Sequence, residues 1–262
     1  MPAMRDFYAP SAPMPLDQAH GLRRLFAGTR QHVLPLAANP HVAFAGVVLD
    51  HLTAVLVARG HQVLVVDAAG RSPAPGEMAR IDLAACIEAL SPQVSYLAAR
   101  GLPLAHVDTR GSASGFVDAV CNAAPKAGVV LLHADPTDLA RMFMRRAARP
   151  MLMGADHPES IKHAYAACKL LAQRCGLMTF DLLLAAEPGS RRVPSIASTL
   201  AQCADGFVGA VLHDWAVIDP ASAPGEAVDY SLDRLLGAQL SLLDDAQPRT
   251  GALAAAAQAR RA

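Results

Sequence analysis

The chain has 262 residues, of which 53% are hydrophobic and 18% charged, so it is long and apolar enough to bury one large core. Its 23 basic residues balance its 23 acidic residues, and this neutral charge gives no electrostatic case for nucleic-acid binding. The five cysteines lack a CxxC spacing, which favours reduced thiols in a cytoplasmic protein.

The first thirty residues are expected to precede the main domain. Residues 1–15 are rich in proline and alanine and lack the hydrophobic stretch of a signal peptide, which predicts a flexible arm. Asp17 is a candidate N-cap for a short helix that ends at Gly28. No apolar run in the whole chain reaches the roughly 18 residues that a membrane span needs.

Residues 34–68, LPLAANPHVAFAGVVLDHLTAVLVARGHQVLVVDA, predict a buried strand, a loop, a helix and a second buried strand. Pro35 is awkward in a central strand because it has no N–H to donate. Gly60 stands where a glycine commonly ends a helix. In such a unit the loop after the first strand often holds phosphate, but this loop, residues 38–46, has no lysine and no glycine run.

Strands and helices then alternate to about residue 219. Strands are expected in LPLAHVDTRG (102–111), AGVVLLHAD (127–135), PMLMGAD (150–156), MTFDLLLAAE (178–187) and VLHDWAVID (211–219). Helices are expected near 81–90, in 114–124, from Thr137 to Ala148, in 157–176 and in 193–209. This alternation predicts an α/β fold of three layers, with helices on both faces of a mostly parallel sheet.

The C-terminal segment predicts one amphipathic helix followed by a low-complexity end. Its apolar stripe comprises Val228, Leu232, Leu235, Leu236, Leu240 and Leu243. Contact with a membrane is one interpretation, but the polar side is acidic, whereas membrane-surface helices usually carry Lys and Arg there. Docking on the chain's own domain or on a partner protein is favoured. The expected division is therefore 1–30, 31–222 and 223–262.

Individual site candidates are few. Asp67 ends a buried strand, where an acid commonly faces a ligand or metal or caps the next turn. The segment GSASG at 111–115 fits an anion-binding nest or, more simply, a turn before a helix. The ten histidines lack metal-ligand spacing, and no metal is expected. The GxSxG elbow of hydrolases and the GxGxxG dinucleotide fingerprint are both absent.

The stretch DQAHGLRRL at 17–25 resembles the DQAxxLR motif of the FlhG/FleN family. These proteins are MinD/ParA-like P-loop ATPases that control the number and placement of bacterial flagella. In that family the motif forms a helix that engages FlhF, an SRP-type GTPase, and stimulates its hydrolysis. The resemblance therefore implies a partner-binding role for five residues: Asp17, Gln18, Ala19, Leu22 and Arg23.

The rest of the chain follows the family in order to about residue 220. Residues 38–46 fall on the family's SGKGGVGKT loop, and Asp67 falls on the first acid of its LLLDAD strand. The segment HPESIKHAYAACKLL at 157–171 resembles the family's PEPTSLTDAYALIK segment, and GAVLHDWAVIDP at 209–220 resembles its late strand.

The nucleotide-binding residues of the family are missing at the matching positions. Pro40 stands for the signature lysine, Phe44 for the glycine before the P-loop lysine, Ala45 for that lysine and Gly46 for the threonine that binds Mg²⁺. His133 replaces the Walker B aspartate, although Asp135 is close by. The resemblance thus implies a vestigial nucleotide site formed by Asn39, Pro40, Phe44, Ala45, Gly46, Asp67 and His133. Pro40 and Phe44 are expected to fill an apolar crevice there.

Loss of both lysines removes the charge compensation that phosphoryl transfer requires. The resemblance therefore implies a regulator of flagellar assembly without ATPase activity, catalytic residues or a cofactor, with ATP and Mg²⁺ bound only if residual binding survives. Its expected partners are the SRP-type GTPase and flagellar basal-body components, in the cytoplasm or at the inner membrane or cell pole. One alternative is an active or ATP-binding MinD/ParA-type ATPase with a rearranged site. Another is a different P-loop-derived regulator, related to cellulose-synthesis or cell-division proteins.

Overall fold

The computed structural model describes residues 31–226 and 230–245, and these residues contain one eight-stranded sheet. In chain order its strands are β1 His32–Ala37, β2 Val63–Asp67, β3 Glu88–Ala89, β4 Val94–Ala98, β5 Val129–Ala134, β6 Met151–Ala155, β7 Thr179–Ala185 and β8 Val211–Ile218. The strand order across the sheet is β3-β4-β2-β5-β1-β6-β7-β8. All neighbours pair in parallel except β3 and β4.

Helices cover both faces of this sheet. They are α1 Ala45–Ala58, α2 Leu102–Ala105, α3 Ser114–Ala123, α4 Pro136–Met142, α5 Pro158–Cys175, α6 Arg192–Val208 and α7 Tyr230–Asp245, with 3₁₀ turns at Glu77–Arg80 and Ala84–Cys86. One apolar cluster joins the sheet to α3, α4, α5 and α6. A second cluster joins the opposite face to α1 and α7. The predicted three-layer α/β architecture is therefore confirmed.

The opening strand–helix–strand unit is present as predicted, with all five residues of β2 buried. The helix α1 ends before Gly60, whose φ of 85° is costly for residues with a Cβ. Pro35 fits β1 because its nitrogen faces β6. The N–H groups of His32 and Ala38 donate to the β5 side, so odd-numbered positions face the other neighbour. Pairing with β6 begins only at Leu36, and no ladder bond is lost at Pro35.

The helix expected near 81–90 is absent. The segment forms short 3₁₀ turns and then β3, the antiparallel edge strand. The side chain of Asp82 accepts from the N–H of Ala85 and so stabilises a turn. Leu83, Cys86 and Ile87 still pack partly buried against the core, but they do so from a short 3₁₀ turn and the residues beside it. Ile81 and Leu90 are exposed.

Two further boundaries were predicted wrongly. The segment 102–111 begins with a helical turn rather than a strand, because Gly101 is left-handed and Pro103 occupies the first turn. The strand of this unit is β4, which the sequence analysis did not assign. The helix expected to reach Ala148 ends at Met142, and Arg145 then takes a φ of 69°.

The C-terminal helix α7 docks on its own sheet. Leu232, Leu235, Leu236 and Leu240 are buried in the cluster that also contains α1, while Val228 and the side chain of Leu243 lie outside the described residues. Beneath them the Gln239 amide donates to Asp181 Oδ2 at 2.7 Å and to the Arg149 carbonyl at 2.8 Å. Arg149 and Asp181 form a buried ion pair at 2.9 Å. The apolar face of α7 is thus occupied by its own domain.

Candidate functional site

The loop between β1 and α1 is fastened from within by Asn39. Its buried side-chain amide donates to the carbonyls of Met153 and Ser160 at 2.8 and 2.9 Å, while its Oδ1 accepts from the N–H of His41 at 3.0 Å. The loop therefore keeps a fixed shape by binding β6 and the start of α5.

Backbone N–H groups along this edge of the sheet also donate within the protein. Ala38 donates to the Ala134 carbonyl, and Val42 donates to the Asn39 carbonyl. Gly70 donates to Asp135 Oδ2 at 3.1 Å. A phosphate-binding loop leaves its N–H groups free to contact the ligand. At Ala38, His41, Val42 and Gly70 these donors already have partners.

The positions that match the family's lysines carry no cation. The Pro40 carbonyl accepts a 2.6 Å hydrogen bond from Arg71 Nη1. Phe44 is the N-cap of α1, forms no side-chain cap and is 60% exposed. Pro40 is exposed as well, so the expectation that Pro40 and Phe44 fill an apolar crevice is wrong. Helix entry places the Phe44 side chain at the surface, whereas Val42 of this loop is buried.

Asp67 and His133 meet because they are register partners on β2 and β5. His133 Nδ1 lies 2.7 Å from Asp67 Oδ1, which also accepts from the Ser72 hydroxyl. The Tyr96 hydroxyl donates to Asp67 Oδ2 at 3.3 Å. Because a carboxylate only accepts, Nδ1 of His133 carries the shared proton.

The hydrogen-bond donors around Asp67 determine whether its carboxyl group is ionised. Burial acts to raise the pKa of Asp67, but hydrogen bonds from His133 and Ser72 outweigh it and hold the pKa below its usual value. Burial and the Asp67 charge raise the pKa of Tyr96 to about 12. Asp67 is therefore an ionised carboxylate whose oxygens are already occupied by protein donors.

A cavity of about 480 Å³ opens beside this network, between the β1–α1 loop and α5. Its polar lining residues are Asn39, Arg71, His133, Asp135, Thr137 and His163. Pro40 and Ala45 also line it, whereas Phe44, Gly46 and Asp67 do not. The structure thus gathers four of the predicted site residues at one cavity and places Asp67 behind His133.

Several residues of this site were not assigned from the sequence. Arg71 and Ser72 lie in the loop after β2, and the carboxyl end of a parallel strand is itself a signal for ligand-facing residues. Tyr96 was missed because its strand was missed. His163 carried no usable signal, since its position on α5 becomes informative only when the loop packs against it.

The two interpretations of GSASG are resolved in favour of a turn. Asp108 Oδ1 accepts from the N–H groups of Arg110 and Ser112, and these bonds lower the pKa of Asp108. The Ser112 hydroxyl accepts from the N–H of Ser114 at the start of α3. These donors are consumed locally, so they do not form an anion nest.

The other site expectations have mixed outcomes. In residues 31–226 and 230–245 no group of three or more His, Cys, Asp or Glu side chains is arranged to hold a metal ion. All five cysteines are free thiols. No helix in the described part of the chain has the length and apolar character that a bilayer crossing needs. The DQAxxLR segment, Asp17 to Arg23, lies outside the described residues.

Solved structures identify the fold. The chain is similar to a plasmid partition protein of Borrelia burgdorferi bound to AMPPNP, at a TM-score of 0.57 and 8% identity over 81% of this chain and 99% of that one. The MinC:MinD cell division complex of Aquifex aeolicus gives a TM-score of 0.54 and 11% identity over 79% and 96% of the two chains. This is the MinD/ParA-type fold.

The apo form of McdA from Cyanthece is also similar, at a TM-score of 0.51 and 11% identity over 79% of this chain and 94% of that one. No protein-family model matches the sequence, and a search of curated proteins finds no significant relative. The likeness to MinD/ParA proteins is therefore one of fold.

Proposed function

We propose that this protein regulates the number, placement and assembly of bacterial flagella by binding an SRP-type GTPase, on a MinD/ParA-type scaffold that no longer hydrolyses ATP. The observation that carries the proposal is the chemistry of the β1–α1 loop. A strand and a helix flank this loop, and its N–H groups at Ala38, His41 and Val42 donate within the protein.

The charges of the side chains at this site support the proposed loss of ATPase activity. Phosphoryl transfer needs cations on the β- and γ-phosphates and a carboxylate that holds Mg²⁺ through its free oxygens. Ala45 supplies no charge at the lysine position, and Asp67 accepts from three side chains. A triphosphate would therefore meet an ionised acid without the lysine or metal that offsets it.

Sequence supports the choice of partner. The motif Asp17-Gln18-Ala19-x-x-Leu22-Arg23 is retained although the catalytic positions are not. In this motif Gln18 and Arg23 offer an amide and a guanidinium for hydrogen bonds to the GTPase, and Leu22 offers an apolar contact. In this proposal the motif binds the GTPase, and basal-body components are further candidate partners in the cytoplasm or at the cell pole.

The test measures GTP turnover by the SRP-type GTPase with and without the full-length protein. We expect stimulation by the wild type and its loss in the Gln18→Ala/Arg23→Ala double variant. The matched control is His20→Ala/Arg24→Ala, which removes a neighbouring arginine outside the motif and is expected to stimulate normally. The proposal fails if the wild type does not stimulate, or if the motif variant stimulates as well as the wild type.

A further inference from the structure

The cavity beside the β1–α1 loop has the size and lining of a small-molecule site. Its volume of about 480 Å³ falls in the range of about 300–1,000 Å³ usual for such sites. One wall comes from α5 and is mainly apolar, with Ala166, Ala167 and Leu170. The opposite wall comes from residues at the carboxyl ends of β1, β2 and β5. The side chains that line the cavity determine which ligand it binds, independently of the partner GTPase.

Two lining side chains have unused hydrogen-bonding atoms. Nε2 of His133 and Nε2 of His163 are both buried and have no hydrogen-bond partner among the described residues. His133 as a whole is 4% exposed. A buried polar atom without a partner costs about 1–3 kcal/mol, so a ligand that pairs with it gains binding energy. These atoms are an independent sign that the cavity takes a ligand.

A neutral imidazole has one donor nitrogen and one acceptor nitrogen, so the partner of Nδ1 decides the role of Nε2. Nδ1 of His133 holds its proton against Asp67, which leaves a lone pair on Nε2. Burial lowers the pKa of His163, against smaller raising effects from a hydrogen bond to the Ala38 backbone and from Asp135, and so favours the neutral ring. Because Nε2 has no partner, Nδ1 is the nitrogen that donates to Ala38, and Nε2 of His163 also carries a lone pair. The matching ligand group is therefore a donor.

The charges around the cavity also favour a ligand that donates hydrogen bonds. Asp67 lies behind His133 and Asp135 lines the wall, whereas Arg71 is the lining residue with a permanent positive charge. The Arg71 guanidinium already donates to the Pro40 carbonyl, and the N–H of Gly70 donates to Asp135. Two carboxylates against one arginine, with the nearby donors engaged, disfavour an anion and favour a cation.

We propose that this cavity binds a small organic cation with an apolar body, whose amine or amidine head donates to Nε2 of His133 and His163 while the body packs on α5. The site overlaps the position of the degenerate phosphate loop but selects the opposite charge. The inference is independent of the GTPase partner, since it concerns residues of the scaffold alone.

The test compares two probes of similar size and opposite charge, phenethylamine and phenylpropanoate, by NMR of ¹⁵N-labelled histidine side chains in the full-length protein. Phenethylamine is expected to shift the imidazole signals of His133 and His163 with a Kd of about 1 mM, which suits so small a ligand. Phenylpropanoate is expected to leave them unchanged. Absence of shifts with phenethylamine, or equal or tighter binding of phenylpropanoate, overturns the proposal.

Two variants test separately the hydrogen bond to the ligand's head group and the position of the ligand in the cavity. His163→Leu removes one acceptor and is expected to weaken phenethylamine about tenfold. Ala166→Phe, at an exposed position of α5 that lines the cavity, is expected to abolish binding by filling it. Lys169→Phe is the matched control, because Lys169 is exposed on the same helix and outside the lining. Loss of binding in the control, or full binding in Ala166→Phe, contradicts the assigned location.

Discussion

At the scale of single residues, Asp67 is a buried carboxylate whose partners lie within the protein. It still ends a buried strand at the carboxyl edge of the sheet, where parallel α/β folds place ligand-facing groups. Here its oxygens accept from His133, Ser72 and Tyr96 instead of from a ligand. Through these hydrogen bonds the carboxylate joins β2, β4 and β5.

Asp67→Asn is expected to lower the free energy of unfolding by about 1–3 kcal/mol at pH 7, because an amide cannot accept all the bonds that the carboxylate accepts. The pKa of Asp67 is lower in the folded state, so its contribution is present above the unfolded value of about 3.9 and is lost as the pH falls through the folded pKa. Urea unfolding of both proteins should therefore show a gap that narrows below about pH 4.

The control for this prediction is Asp50→Asn, at an exposed position of α1. It is expected to change stability by less than about 0.5 kcal/mol at either pH. A gap between wild type and Asp67→Asn that stays constant down to pH 3 would contradict the structural role of the ionised carboxylate.

At the scale of elements, α7 docks on the sheet through both apolar and polar contacts. Gln239 is buried and joins the Asp181 carboxylate to the Arg149 carbonyl, while burial raises the pKa of Asp181. On the exposed side Arg59, which follows the last residue of α1, pairs with Asp233 at 2.7 Å. Apolar burial of four leucines supplies affinity, and these polar bonds fix the position of the helix.

Gln239→Ala is expected to destabilise the protein by about 1–3 kcal/mol, since it leaves the buried Asp181 without one of its donors. Ser241→Ala, on the exposed side of the same helix, should cost less than about 0.5 kcal/mol. Chemical denaturation measures both, and limited proteolysis should cut the Gln239→Ala protein faster near α7. Equal stability of the two variants would show that the buried network does not hold the helix.

Gly237 leaves room for the Arg59 guanidinium, because a Cβ there would lie 2.8 Å from Arg59 Nη2. Gly237→Ala gains about 1 kcal/mol of helix propensity but displaces an Arg59–Asp233 pair that is worth about 0–1 kcal/mol. The net change in the wild type should be small. In an Arg59→Ala background the same substitution should stabilise by about 1 kcal/mol, and equal effects in both backgrounds would contradict the contact.

The elements that sequence predicted well are those whose local pattern and packing agree. β2 and β5 are continuous apolar runs buried on both faces, and α5 ends at a left-handed Gly176. Residues 81–90 were predicted as a helix because local propensity was read without knowing that β4 leaves an edge for β3. The docking of α7 followed from its leucine stripe, but its polar anchor did not, since Asp181 and Gln239 are 58 residues apart.

At the scale of the whole molecule, sequence predicted the layers of the fold and selected some of the residues that line the cavity, but it did not predict the rest of the lining. Asn39 and His133 were selected by their positions in the chain. The cavity beside them depends on α5, which approaches the loop only after the sheet has assembled. The fold is that of MinD and ParA proteins, while the loop chemistry favours a scaffold over an ATPase.

The most direct measurement of this central claim is isothermal titration of the full-length protein with ATP and Mg²⁺, together with an assay of ATP hydrolysis. A scaffold that has lost nucleotide chemistry should show no binding up to about 1 mM ATP and no hydrolysis above background. Micromolar binding that Asp67→Ala abolishes, with measurable turnover, would contradict it and establish the rearranged ATPase instead.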